Sequence, residues 1–115
     1  MKYYSLNKQS PEVDFKEATI RGQAPDKGLY FPETIPVHDV SLFNRDDVAF
    51  QLIRPYVGGT IPDDELQRIV QETVNFSIPL APVSDNIFSL ELFHGPTLAF
   101  KDVGARFMSR CPGYF

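Results

Sequence analysis

Phe93-His94-Gly95-Pro96-Thr97-Leu98-Ala99-Phe100-Lys101-Asp102 decides how this sequence folds at its C-terminal end. Upstream of it, Phe88, Leu90 and Leu92 alternate with Ser89 and Glu91, which predicts a half-buried strand running into the stretch. Gly95-Pro96 then predicts a tight turn. A helix follows from about Thr97, the threonine serving as N-cap, with Phe100, Val103, Gly104, Phe107, Met108 and Cys111 on the helical period until Pro112 ends it. Lys101 therefore falls near the start of a helix. A lysine amine attacks a carbonyl only when unprotonated, and the positive end of the helix, together with apolar Leu98, Ala99 and Phe100, acts against the ammonium form. The stretch thus has the makings of a nucleophilic lysine delivered by a bend.

Working back toward the N-terminus, residues 77–85 contain Pro79 and Pro82 and read as a connector. Leu66, Ile69, Val70 and Thr73 share one helical face, so a helix is expected over Pro62–Asn75, with Thr60 three residues ahead of Asp63 in a capping arrangement. Asp46–Arg54 has Val48, Ala49, Leu52 and Ile53 at helical spacing, and Pro55 should close that helix before Gly58-Gly59. Pro25-Asp26-Lys27-Gly28 predicts a turn with Gly28 at positive φ, and Leu29-Tyr30-Phe31 continues as an extended segment closed by Pro32. Ser10-Pro11-Glu12 reads as the start of a helix that buries Phe15 and Ala18 and stops at Gly22, after a short strand within Lys2–Leu6. The fold class is α/β, or α+β for these 115 residues alone. A composition shift near residue 80 divides a helical unit with short strands, 1–80, from the first strand and helix of an incomplete second unit, 81–115.

Composition narrows the function. Eleven basic against 15 acidic residues, a net charge of −4 and no dense basic run argue against a nucleic-acid or anionic-lipid partner. The N-terminus has no apolar stretch behind Lys2, so neither a secretory signal nor a membrane span is expected and the cytoplasm is the default location. Cys111 is the single cysteine, which rules out an internal disulfide and suits a small buried hydrophobe. His38 beside Asp39 is too small a set for a metal site, and no metal is expected.

FHGPTLAFKD followed by VGARF resembles the Schiff-base lysine motif of the threonine synthases, pyridoxal-phosphate enzymes related to the tryptophan synthase β subunit. PDKGLYFPETIP resembles that family's N-terminal signature, although Lys27 stands where the family often has glycine; residues 15–18 and 66–74 fit more loosely. The resemblance implies that Lys101 carries pyridoxal 5'-phosphate in an enzyme converting O-phospho-L-homoserine and water into L-threonine and phosphate. Such enzymes need a glycine-rich phosphate loop and a partner for the pyridine nitrogen downstream of the lysine. Neither follows Lys101, so the chain reads as an amino-terminal fragment, inactive without the remainder of its polypeptide. His94 and Thr97 are candidate substrate-binding residues, with a hydrogen-bonded turn histidine and a helix cap as their structural alternatives. Asp102 either orients Lys101 or simply sits favourably near the helix start, and Gly104 and Ala105 would let the helix approach a sheet closely. Two rival readings stand beside the enzyme: a self-standing α/β interaction module, and a related pyridoxal-phosphate lyase, against which the PDKGLYFPE signature argues because simpler relatives lack it.

Overall fold

The computed structural model describes residues 1–43 and 47–115. Strand β1 (Tyr3–Ser5) pairs antiparallel with β2 (Tyr30–Pro32), joining Tyr3 to Pro32 and Ser5 to Tyr30. Between them lies helix α1 (Phe15–Arg21), followed beyond β2 by a 3-10 turn (Val40–Leu42) and helices α2 (Val48–Val57) and α3 (Asp63–Thr73). A second antiparallel hairpin, β3 (Leu80–Ser84) with β4 (Ile87–Leu90), leads to the last helix, α4 (Lys101–Tyr114). Helix α3 packs on α2 and α4, and α1 packs on both as well. Among the described residues no helix is long and apolar enough to cross a membrane.

The core is where the periodicity places it. Leu66, Ile69, Val70 and Thr73 of α3 are all buried, together with Val57, Ile61, Phe15, Ala18 and Cys111. Phe15 is the aromatic hub: its ring lies 6.2 Å from Tyr3, 6.4 Å from Phe107 and 6.2 Å from Phe115, tilted or edge-on as ring quadrupoles favour. Cys111 has no exposed surface, and burial pushes its thiol up to about 11. The Tyr3 phenol is pushed up to about 12 by burial and then by Tyr56, while its hydroxyl donates to the Tyr56 carbonyl at 2.7 Å.

Several boundaries depart from the sequence reading. Helix α1 starts at Phe15, because Val13 pairs with Tyr3 in a two-bond β-bridge and Asp14 caps the Glu17 N–H at 2.8 Å. Ser10 is not the cap; its hydroxyl accepts the Asp26 N–H. Helix α2 runs through Pro55 to Val57, since continuing buries Val57 and Gly58 closes the helix in the left-handed region at φ 60°. Asp46, expected at its head, lies outside the described residues. Thr60 does not cap α3; its hydroxyl donates to the Val57 carbonyl, and acidic Asp63, Asp64 and Glu65 face the helix's positive end. Helix α4 likewise passes Pro112, whose missing N–H deprives only the Met108 carbonyl, on an exposed residue. The stretch read as a connector holds β3, with Pro82 beside a bulge in a strand of a two-stranded sheet. Phe88 and Leu90 are more exposed than the alternation suggests, at 55 and 58%.

The Pro25–Gly28 turn inverts its expected roles. Lys27 takes the positive φ of 66°, the position at which a glycine would be unstrained. Gly28 is needed for space: an added Cβ would fall on Ser5 Oγ and within 3.0 Å of the Asn7 nitrogen. Asp26 organises this corner, accepting from Ser5 Oγ at 2.6 Å, Gly28 N–H at 2.9 Å and Gln9 N–H at 2.9 Å. The Ser5 hydroxyl most of all, then the two amides, hold its carboxyl below the ordinary 3.8 against the opposing effect of burial. We expect Gly28→Ala to destabilise the chain by about 1–3 kcal/mol in urea unfolding, the usual cost of overpacking. A carboxyl depressed on folding stabilises above its ordinary value and loses that contribution as pH falls through and below it. Stability should therefore decline below about pH 4, and Asp26→Asn should flatten that decline in acid titrations of the unfolding midpoint.

Candidate functional site

Residues 91–100 carry the chain from β4 to α4, and their geometry is set by one carboxylate. Gly95 to Leu98 form a tight turn, closed by the Leu98 N–H donating to the Gly95 carbonyl at 3.0 Å, with Leu98 at φ 54°. Asp102, the second residue of α4, reaches back into this turn and is 2% exposed. Its Oδ2 accepts the Thr97 N–H at 2.9 Å and its Oδ1 accepts the Thr97 hydroxyl at 2.9 Å. Burial works to raise the Asp102 carboxyl, yet the Thr97 amide and hydroxyl, the Ala99 backbone and the Arg106 charge outweigh it, leaving the group below its ordinary value. Gly95 is the other half of the arrangement. A Cβ there would stand 2.6 Å from Asp102 Oδ2 and 2.8 Å from Asp102 Cβ, so no side chain fits while the carboxylate is in place.

Lys101 is the first residue of α4 and is exposed. Thr97, expected as the cap, lies outside the helix, because the segment between them is a turn and the Thr97 amide and hydroxyl both go to Asp102. Leu98 and Phe100 flank the lysine in sequence but are 76 and 75% exposed, so they form an open apolar rim and do not desolvate the amine within this chain. Among the described residues no carboxylate pairs with the amine. The chain thus presents an exposed primary amine in a segment where Phe93, Leu98 and Phe100 are exposed as well.

His94 is brought to the same turn but is engaged: its Nε2 lies 2.7 Å from Glu91 Oε2, and its ring stacks on Phe93 at 4.5 Å. His38 is remote from this chemistry, packing on Phe43 at 5.6 Å, while Asp39 is occupied by the Ser41 N–H and hydroxyl. Gly104 and Ala105 are exposed, and a Cβ on Gly104 would meet nothing within 4 Å; α4 packs on helices, so the expected close approach to a sheet is not made. Gly104 instead borders an apolar cleft of about 210 Å³ with Ala49, Ile53, Val70, Val103 and Phe107. Sequence reasoning missed Arg106, which fastens α4 to α3 by donating to the Glu72 carbonyl at 2.6 Å and lying over the Phe76 ring at 5.6 Å. An arginine five residues past Lys101, opposite an acidic helix, was the available signal.

Comparison with known proteins agrees with the fold. Residues 2–74 match the family model described as threonine synthase N terminus. The chain is 37% identical over 116 residues to threonine synthase of Serratia marcescens and 36% identical over 118 residues to that of Escherichia coli, covering 96% of this chain and 27% of each relative. Its fold is similar to the crystal structure of a PLP-bound threonine synthase from Brucella melitensis, with a TM-score of 0.92, 38% identity and coverage of 99% of this chain and 27% of that one. The crystal structure of the Escherichia coli enzyme matches with a TM-score of 0.88 at 32% identity. The chain therefore spans little more than a quarter of the length of these relatives. Built of mixed helices and short strands that correspond to the N-terminal part of those enzymes, it belongs to the threonine synthase family.

Proposed function

We propose that this chain is the N-terminal part of a cytoplasmic threonine synthase, a pyridoxal-phosphate-dependent lyase that converts O-phospho-L-homoserine and water into L-threonine and phosphate. The observation that carries the reading is the position of Lys101: an exposed amine, unpaired among the described residues, on the first residue of α4, behind a turn fixed by Asp102. The family membership and the fold similarity to a PLP-bound enzyme support it. Residues 1–80 are then the N-terminal domain and 81–115 the start of the catalytic domain, a division supported by a family match ending at residue 74.

The residues fit pyridoxal 5'-phosphate chemically, since an aldehyde requires a primary amine and a flat ring suits the apolar rim of Leu98 and Phe100. When bound, the cofactor supplies an electron-withdrawing ring that acidifies the substrate Cα. Lys101 would hold the cofactor between turnovers and, once displaced by the substrate amine, would take protons from Cα and Cβ and return them to Cα and Cγ, while phosphate leaves Cγ and water supplies the hydroxyl at Cβ and the proton the phosphate carries away. Two turn residues are candidates for the substrate phosphate. His94 has one ring nitrogen committed to Glu91, leaving Nδ1, and the Thr97 hydroxyl proton is committed to Asp102. Their holding of the loop comes first, and contact with the phosphate would use what remains.

In the full-length enzyme, Lys101→Ala should lower phosphate release from O-phospho-L-homoserine by at least about 10²-fold, the range of a lost acid-base group. Turnover at the unsubstituted rate would refute the assignment. The 115-residue chain by itself should release no phosphate from that substrate, since it spans only 27% of its relatives; a measurable rate in a phosphate assay would overturn this.

A further inference from the structure

Resting on Lys101 as the cofactor-bearing lysine, we propose that Asp102 is a positioning residue that sets where the Lys101 amine is presented, acting through the turn and not by contact with the amine. A carboxylate at 2% exposure has given up its water, and its compensation comes first from Thr97, whose amide and hydroxyl each donate at 2.9 Å, with the Ala99 backbone and the Arg106 charge adding to them. Those two bonds tie position 97 to position 102 and close the segment between them into a loop with little slack. Leu98 is held inside it in the left-handed region at φ 54°, which a leucine does not adopt unaided, and the absent side chain of Gly95 makes room for the carboxylate. Lys101 lies within this loop. Successive helical residues point about 100° apart, so Asp102 faces inward while Lys101 faces out, and the backbone beneath the lysine is fixed without neutralising its charge. Catalytic groups tolerate displacements of only about 0.5 Å, so the loop determines how well the amine meets its target.

The test uses the full-length enzyme carrying this segment, with pyridoxal 5'-phosphate as the probe. Attachment is trapped with borohydride and located by peptide mass mapping, and the visible circular dichroism of the bound cofactor reports how tightly it is held in one orientation. In Asp102→Asn, the amide nitrogen must face one of the two Thr97 donors. Attachment at Lys101 should slow by about tenfold or more, and the dichroism per attached cofactor should fall at least about twofold, with thermal unfolding checked alongside. Thr97→Val removes the hydroxyl donor alone and should move both readouts the same way by less; it decides the matter where Asp102→Asn does not fold. Attachment rate and dichroism equal to those of the unsubstituted enzyme in folded variants overturn the proposal. No attachment at Lys101 in the unsubstituted enzyme overturns the assignment of the lysine itself, and the positioning role with it.

Discussion

The docking of α4 against Phe15 and α3 is the constraint on which the arrangement of this chain depends. Its far end is anchored by Cys111, which has no exposed surface, and by Phe107 and Phe115 around the Phe15 ring. Its flank is tied to α3 by Arg106 and Arg110, which donate to the Glu72 carbonyl and carboxylate. The salt bridge between Arg110 and Glu72, at 3.1 Å and partly exposed, contributes little alone, while the apolar burial carries the association. With the back of the helix immobilised, its first residue has a defined place.

The core was legible in the sequence because it rests on period. The four buried residues of α3 recur at three- and four-residue intervals, and the same rule located Phe15, Ala18 and Cys111. Helix ends were less legible because local signals were overridden by distant partners. Ser10 looked like a cap but serves Asp26, sixteen residues away, and Pro55 looked like a stop but lies in a helix whose next turn buries Val57. The β-bridge that displaces α1 to Phe15 pairs residues ten apart, which no local pattern reveals. At the candidate site, the sequence located the bend. It did not reveal that Thr97 bonds forward to Asp102, because that bond depends on the path of the turn.

The two hairpins show how differently the same pairing can be used. β1 and β2 place Tyr3 and Ser5 inward, the first in the core and the second on Asp26. β3 and β4 carry Leu80, Val83, Ile87, Phe88 and Leu90, each more than half exposed. An apolar surface of this kind is what further polypeptide would cover, consistent with relatives nearly four times as long.

The close fit between Gly95 and Asp102 makes these two positions a single unit in substitution space. A side chain at 95 excludes the carboxylate, and a smaller residue at 102 leaves a void that a side chain at 95 would fill. Their effects will not sum: the double replacement is a repacking, whereas either replacement alone is a collision or a hole. Sequence change in this bend therefore has to pass through one of two unfavourable intermediates, a barrier that keeps position 95 without a side chain and position 102 acidic.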